Sequence, residues 1–198
     1  MHEANRIFWR RMKRTYPQYF DNPGIRVIEF GSYDINGTIR DYFAARDYIG
    51  IDQKAGPCVD VVRLAHEVDY PAESFDVVAS ASMLEHDIHW QKSLAKMVNL
   101  LKPTGLLAAT WGGALNGPHC DPSEFHPLKS GLVINELERL GIYVHLFQYE
   151  RPAGHENKPI GPNNPNWFPG EVVLLGFKHK EYAIGERWID PLIPEDMP

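Results

Sequence analysis

The chain has 198 residues, 43% hydrophobic and 23% charged, enough for one domain with a complete core. A formal net charge of −6 opposes a surface built to track phosphates, so nucleic acid is not an expected partner. Two cysteines exclude a disulfide framework, and with no secretory apolar region and no bilayer-length run the expected compartment is a reducing cytoplasm, with no membrane partner.

The first 24 residues carry Ile7, Phe8, Met12, Tyr16 and Tyr19 at helical spacing, with Arg10, Arg11, Lys13 and Arg14 between them. This predicts an amphipathic helix packed on the domain; a membrane-surface or RNA contact is the alternative. Residues 26–31 read as a buried strand ending in Glu29, Phe30 and Gly31, and Asn36–Ala45 as a helix with Asn36 at its N-cap. Strands follow at Tyr48–Asp52, Val59–Val62 and Phe75–Ser80. A helix is expected over Ile88–Leu101, stopped by Lys102-Pro103, and a fifth strand over Gly105–Thr110. Ser130–Leu140 reads as a helix stopped by Gly141, and Tyr143–Phe147 and Val172–Phe177 as the last two strands, joined by the Pro/Asn/Gly-rich residues Arg151–Gly170. The Pro- and acid-rich tail from residue 181 reads as a surface strap. Strands alternating with helices imply an α/β chain whose sheet is mostly parallel and covered on both faces.

Gly31 and Asp52 end successive strands roughly 20 residues apart. A βαβ unit of that form can hold an adenosine-containing cofactor, with the turn approaching the ligand and the second acid taking the ribose hydroxyls. The ordered series Gly31-Ser32-Tyr33-Asp34-Ile35-Asn36-Gly37-Thr38-Ile39-Arg40, Val59-Asp60-Val61-Val62, Phe75-Asp76-Val77-Val78, Leu84-Glu85-His86 and Leu100-Leu101-Lys102-Pro103-Thr104-Gly105 resembles class I S-adenosylmethionine-dependent methyltransferases, in particular the methyltransferase type 11 group. The resemblance covers residues 25–112 well and the rest loosely. It implies a single methyltransferase domain over 1–198 (N-terminal helix 1–24, core 25–180, tail 181–198) with a Rossmann-like sheet of seven strands, six parallel and the last antiparallel. The sequence departs from the commoner turn, which has more glycines, and lacks an acid for adenine in Arg63-Leu64-Ala65-His66.

The resemblance implies S-adenosylmethionine as cofactor, S-adenosylhomocysteine as product, and methyl transfer to an oxygen, less readily a nitrogen, of a small molecule or glycan. Glu29, Gly31, Ser32, Tyr33, Asn36, Asp52, Gln53, Ala65, Ser80 and Ala81 are the candidate cofactor residues. Glu29 would order the turn and meet the methionine amine. His86 and His119 are candidate proton acceptors, and Trp111 and His126 candidate substrate contacts. The loop His119-Cys120-Asp121-Pro122-Ser123-Glu124-Phe125-His126 lacks metal-ligand spacing and reads as a lid. The run Ser82-Met83-Leu84-Glu85-His86 lacks a second carboxylate, so no metal is expected. A short-chain dehydrogenase would need a Tyr-x-x-x-Lys motif that the chain does not contain. The alternative to an enzyme is a methyltransferase-fold partner or regulatory protein, which would tolerate loss of Asp52.

Overall fold

A computed structural model describes residues 3–112, 128–150 and 171–189. Eight strands form one sheet: β1 (Arg26–Phe30), β2 (Asp47–Asp52), β3 (Val61–Val62), β4 (Phe75–Ala81), β5 (Leu101–Gly112), β6 (Tyr143–Glu150), β7 (Glu171–Phe177) and β8 (Trp188–Ile189). Their spatial order is β3-β2-β1-β4-β5-β7-β6-β8. Strands β1 to β5 pair in parallel, β7 runs antiparallel to both β5 and β6, and β8 lies parallel to β6. The expected antiparallel strand is therefore β7. The eighth strand is an addition, because part of the expected surface tail hydrogen-bonds to β6 as a sheet edge.

Side-chain alternation sends Ile28, Phe30, Val78, Leu107 and Ala109 to one face of the sheet, where they pack with Leu94 and Met97 of α3 (Trp90–Leu100) and Val133 and Leu137 of α4 (Ser130–Arg139). It sends Val27, Val77, Ala79, Leu106, Ala108, Val173 and Leu175 to the other face. That second face is covered by α1 (Glu3–Thr15) and the single turn α2 (Pro17–Phe20), through Phe8, Trp9, Met12, Tyr16 and Phe20. Because this packing consumes the apolar stripe of α1, the helix is a structural cover and does not offer that stripe to a membrane. Lys13 on its polar side pairs with Asp21 at 2.6 Å and donates to the Tyr42 carbonyl at 2.8 Å.

The helix expected over Asn36–Ala45 does not form. Residues 31–43 make bends and one 3₁₀ turn, Arg40–Tyr42. Gly37 lies at φ +121, outside the helical region, and Asp34 Oδ1 accepts its N–H at 2.6 Å, so the segment starts as a side-chain-closed turn and Asn36 caps nothing helical. The aromatic residues that follow find partners across the sheet face: Phe43 stacks on Phe20 at 4.5 Å and meets the Trp9 ring edge at 6.3 Å. Trp9, unremarkable in the sequence pattern, is fully buried at the centre of this cluster. The expected strand Val59–Val62 shrinks to two residues, and β5 begins earlier than expected, running through Pro103.

If α1 is integral to the core, Trp9→Ala removes a fully buried indole and is expected to cost about 3–5 kcal/mol of unfolding free energy. Urea denaturation measures it, and a loss under about 1 kcal/mol would show that α1 is a dispensable cover.

Candidate functional site

The parallel strands β1, β2, β4 and β5 deliver their carboxyl ends to one edge of the sheet, and the residues that follow them meet there. The chain leaves β1 through Gly31 at φ +81, a conformation that favours glycine. A Cβ there would also lie 2.5 Å from Met83 Cβ, so the position is closed to side chains twice over. The N–H groups of Gly31 and Ser32 both donate to the Ile51 carbonyl, at 2.9 and 3.1 Å, and bind the turn to the end of β2. Asp52 ends β2. Its Oδ2 accepts from the Tyr33 N–H at 3.3 Å and its Oδ1 from the Lys54 N–H at 2.9 Å. The two expected cofactor elements, the turn at Gly31 and the acid Asp52, are thus joined directly.

Tyr33 lies flat against Gly56, where any Cβ would run into its ring at 2.0 Å. Asp34 donates its N–H to the Pro57 carbonyl at 3.0 Å. The turn after β1 and the connection from β2 to β3 therefore form one unit. Asn36, Tyr33 and Gln53 are exposed on this unit, while Ser32 is buried. Ser32 Oγ and Ser80 Oγ are buried without hydrogen-bond partners.

Glu29 is 2% exposed and lies under the turn. Its Oε2 accepts from Tyr48 Oη at 2.7 Å. The Arg40 guanidinium covers the Tyr48 ring at 4.6 Å and pairs with Asp60, which in turn accepts from the Gly50 N–H at 2.7 Å. Burial raises the Glu29 carboxyl to about 7, against the opposing hydrogen bond from Tyr48 and the charge of Arg40. Burial, reinforced by Glu29, likewise holds the Tyr48 phenol well above its usual range, so Tyr48 remains a donor.

After β4, Ser82 takes φ +53 and donates its N–H to the Thr110 carbonyl at 2.8 Å. A 3₁₀ turn, Leu84–His86, follows. Glu85 is fully buried there, and its Oε1 accepts the Gly112 N–H at 2.7 Å, pinning the end of β5. This buried, structural use of Glu85 has no sequence signature. His86 is half-buried beside it, at the sheet edge. Ala65 sits half-buried in the 3₁₀ turn Ala65–Glu67 after β3. The neighbouring His66 ring meets His89 edge-on at 4.8 Å.

Trp111, expected as a stacking surface for substrate, is fully buried with its ring 5.8 Å from Phe147. Alternation along β5 turns it into the α3–α4 face of the core, so it packs there instead. His119 and His126 lie outside the described residues, as does the whole of the predicted lid between them. Among the described residues no group of three or more His, Cys, Asp or Glu gathers at one point, and no helix is long and apolar enough to cross a membrane. Asn5 was absent from the sequence-derived candidates. It reaches this edge from α1 and donates from Nδ2 to Ser82 Oγ at 3.3 Å.

Residues 37–109 match the sequence profile of the family described as Methyltransferase domain. That match spans β2 to β5, and the complete strand order agrees with it. The sheet has the fold of class I methyltransferases. No curated protein matches the chain. Among solved structures, this chain is similar in fold to the Burkholderia thailandensis 1,6-didemethyltoxoflavin-N1-methyltransferase, whose structure holds 1,6-didemethyltoxoflavin and S-adenosylhomocysteine (15% identity, TM-score 0.63, 87% of this chain and 77% of that one). It is similar also to an S-adenosylmethionine-dependent methyltransferase from Archaeoglobus fulgidus (19% identity, TM-score 0.60, 86% and 93%). A third relative in fold is an S-adenosylmethionine-dependent methyltransferase from Mesorhizobium loti (14% identity, TM-score 0.59, 85% and 96%). At these identities the likeness is one of fold.

The raised Glu29 carboxyl makes stability depend on pH. The folded carboxyl keeps its proton up to about 7, whereas an unfolded one loses it near the ordinary value of 4.5. Between those values the folded state binds more protons, so its stability falls as pH rises through the window. The expected loss attributable to Glu29 is on the order of 3 kcal/mol in full. Glu29→Gln should remove that part of the slope in urea titrations at pH 5 and pH 8; an unchanged slope would show that Glu29 is ionised in the fold.

Proposed function

We propose that the methyltransferase binds S-adenosylmethionine at the carboxyl edge of β1, β2 and β4 and transfers its methyl group to an oxygen of a small molecule or glycan, with nitrogen a less favoured acceptor. The observation that carries this reading is the union of the Gly31 turn with the Asp52 carboxylate through the Tyr33 N–H. A glycine-borne turn and an acid at the ends of adjacent parallel strands fit an adenosine ligand, the turn by close approach and the acid by accepting from paired ribose hydroxyls. Two buried hydroxyls without partners, Ser32 Oγ and Ser80 Oγ, leave hydrogen-bonding capacity at the same edge. The residues present therefore fit the cofactor.

When bound, S-adenosylmethionine supplies a methyl group already activated on a sulfonium. The protein has mainly to hold the acceptor atom in line with that group and keep competing water away. Asp52 holds the ribose, flanked by Gln53. Gly31, Ser32, Tyr33 and Asn36 shape the turn beside it, and Glu29 orders that turn toward the amino end of the ligand. Ser80 and Ala81 line the methionine part, and Ala65 borders the adenine. A hydroxyl acceptor must lose its proton during transfer, and His86, or else His119, takes it in this reading. His119 and His126, in the segment after β5, complete the acceptor side. The acidic balance of the chain favours a small acceptor over a nucleic acid.

Calorimetric titration with S-adenosylmethionine, S-adenosylhomocysteine and NADH tests the cofactor. Micromolar binding of the first two and none of the third is expected; failure of both adenosyl ligands to bind would sink the reading and leave a non-catalytic partner protein. Asp52→Ala should weaken S-adenosylhomocysteine by at least about 1.5 kcal/mol, roughly tenfold. An unaltered affinity would remove Asp52 from the site. With an acceptor found by screening for transfer of a labelled methyl group, His86→Asn should lower kcat by roughly 100-fold or more and leave S-adenosylhomocysteine affinity unchanged. A kcat within about twofold of the parent would assign His86 no part in proton transfer.

A further inference from the structure

The cover helix α1 reaches the cofactor edge at one point, and that point holds unmet hydrogen-bonding groups. Asn5 is 1% exposed; its Nδ2 donates to Ser82 Oγ at 3.3 Å, and its Oδ1 has no partner. Thr110 of β5 is fully buried, and its Oγ1 also has no partner. Both residues adjoin Ser82, whose N–H donates to the Thr110 carbonyl at 2.8 Å. Ala108, two residues before Thr110, packs in the cluster under α1, so alternation turns the Thr110 side chain to the same face as Asn5. Its partner across the ladder is Ala81, the last residue of β4.

Buried polar atoms without partners are uncommon, because each has given up water and gained nothing. Two of them flanking one residue, itself held at φ +53, describe a place made for a missing group. The chemistry of the free atoms selects that group. Asn5 Oδ1 only accepts, and Thr110 Oγ1 accepts as well as donates. A carboxylate would find no donor in Asn5 Oδ1. An ammonium brings three N–H donors and a charge, and Glu29 projects to the same face of β1.

We propose that Asn5 of α1 and Thr110 of β5 receive the α-ammonium group of the cofactor's amino-acid end, so that the N-terminal helix completes the cofactor site. The inference rests on the cofactor reading above. Both free atoms lie out of solvent, so entry of the ligand requires the first turn of α1 to lift. The 3.3 Å hydrogen bond from Asn5 to Ser82 is a weak latch for that motion. Once bound, the ammonium supplies the donors that the closed site lacks and holds the helix down.

Three ligands separate the possibilities in calorimetric titration: S-adenosylhomocysteine, its decarboxylated analogue, and 5′-methylthioadenosine, which lacks the amino-acid end. Asn5→Ala and the isosteric Thr110→Val are each expected to weaken the first two about tenfold and leave 5′-methylthioadenosine unchanged. Asn5→Asp, which keeps an acceptor in place, is expected to retain both affinities. Thermal melts establish that each variant is folded. Equal weakening of all three ligands would assign Asn5 to helix packing and overturn the proposal. So would weakening confined to the carboxylate-bearing ligand, or no weakening by any variant. If the parent protein binds none of the three, the cofactor reading falls and this inference with it. If the parent binds and the variants match it, only this inference falls.

Discussion

Residues 31–43 leave β1 without entering a helix, and that single constraint organises the rest of the molecule. A strand buried on both faces needs a cover on each, and the segment directly after β1 provides only bends and a 3₁₀ turn on its side. The cover comes from the N-terminus instead. Helix α1 lies across this face with Phe8, Trp9 and Met12 inward, and the aromatic residues of the segment fill the space between helix and sheet. Because α1 is long enough to pass from the sheet interior to its carboxyl edge, the same helix that closes the core brings Asn5 to the candidate site. Core formation and site assembly are therefore one event at this face.

A turn without a following helix lacks the helical hydrogen-bond ladder. Side chains add to the few backbone hydrogen bonds that remain. Asp34 closes the turn on itself, Asp52 holds the Tyr33 N–H, and the sequence of contacts from Asp60 through Arg40 and Tyr48 to Glu29 ties the segment to β2 from below. Most of these contacts involve a charged group, and several are partly exposed. The exception is Glu29, whose burial raises its carboxyl to about 7, so that the lowest contact of the series is one between a phenol and an acid that ionises only around neutral pH. Holding the turn partly by charges in this way leaves it sensitive to ionic conditions, while the glycine at its origin is fixed by sterics and by its backbone hydrogen bond to Ile51.

The order of the strands and the edge at which the site lies were legible in the sequence, because short apolar runs ending in Gly31, Asp52 and Ala81 are set by alternation and burial, which are local. The antiparallel β7 was implied by the family resemblance, and the Pro/Asn/Gly-rich composition of Arg151–Gly170 agreed with it. The helix expected at Asn36–Ala45 failed because apolar spacing at Ile39, Tyr42 and Phe43 satisfies a helix as well as a loop packed under aromatics. Only the presence of Phe20 and Trp9 across the face decides between them, and those contacts are distant in sequence. Glu85 and Asn5 were illegible for a related reason. A carboxylate pinning the Gly112 N–H and an amide reaching Ser82 acquire meaning only when two strand ends and a helix are brought together. Trp111 was misplaced by reading it as an edge residue, whereas the parity of β5 turns it inward.

The cover helix has a further consequence for how the chain is made. Its apolar side rests on Val173, Leu175 and Phe177, Tyr16 packs on Phe177 at 5.6 Å, and Tyr16 Oη accepts the Ile184 N–H at 3.0 Å. Helix α1 is thus synthesised before β7 and waits for it, roughly 10–30 s at ordinary rates of synthesis. During that interval Phe8, Trp9 and Met12 have no completed surface to rest on. The nascent protein therefore presents an aromatic helix to whatever holds emerging chains, and translation speed through the second half of the message sets how long that exposure lasts.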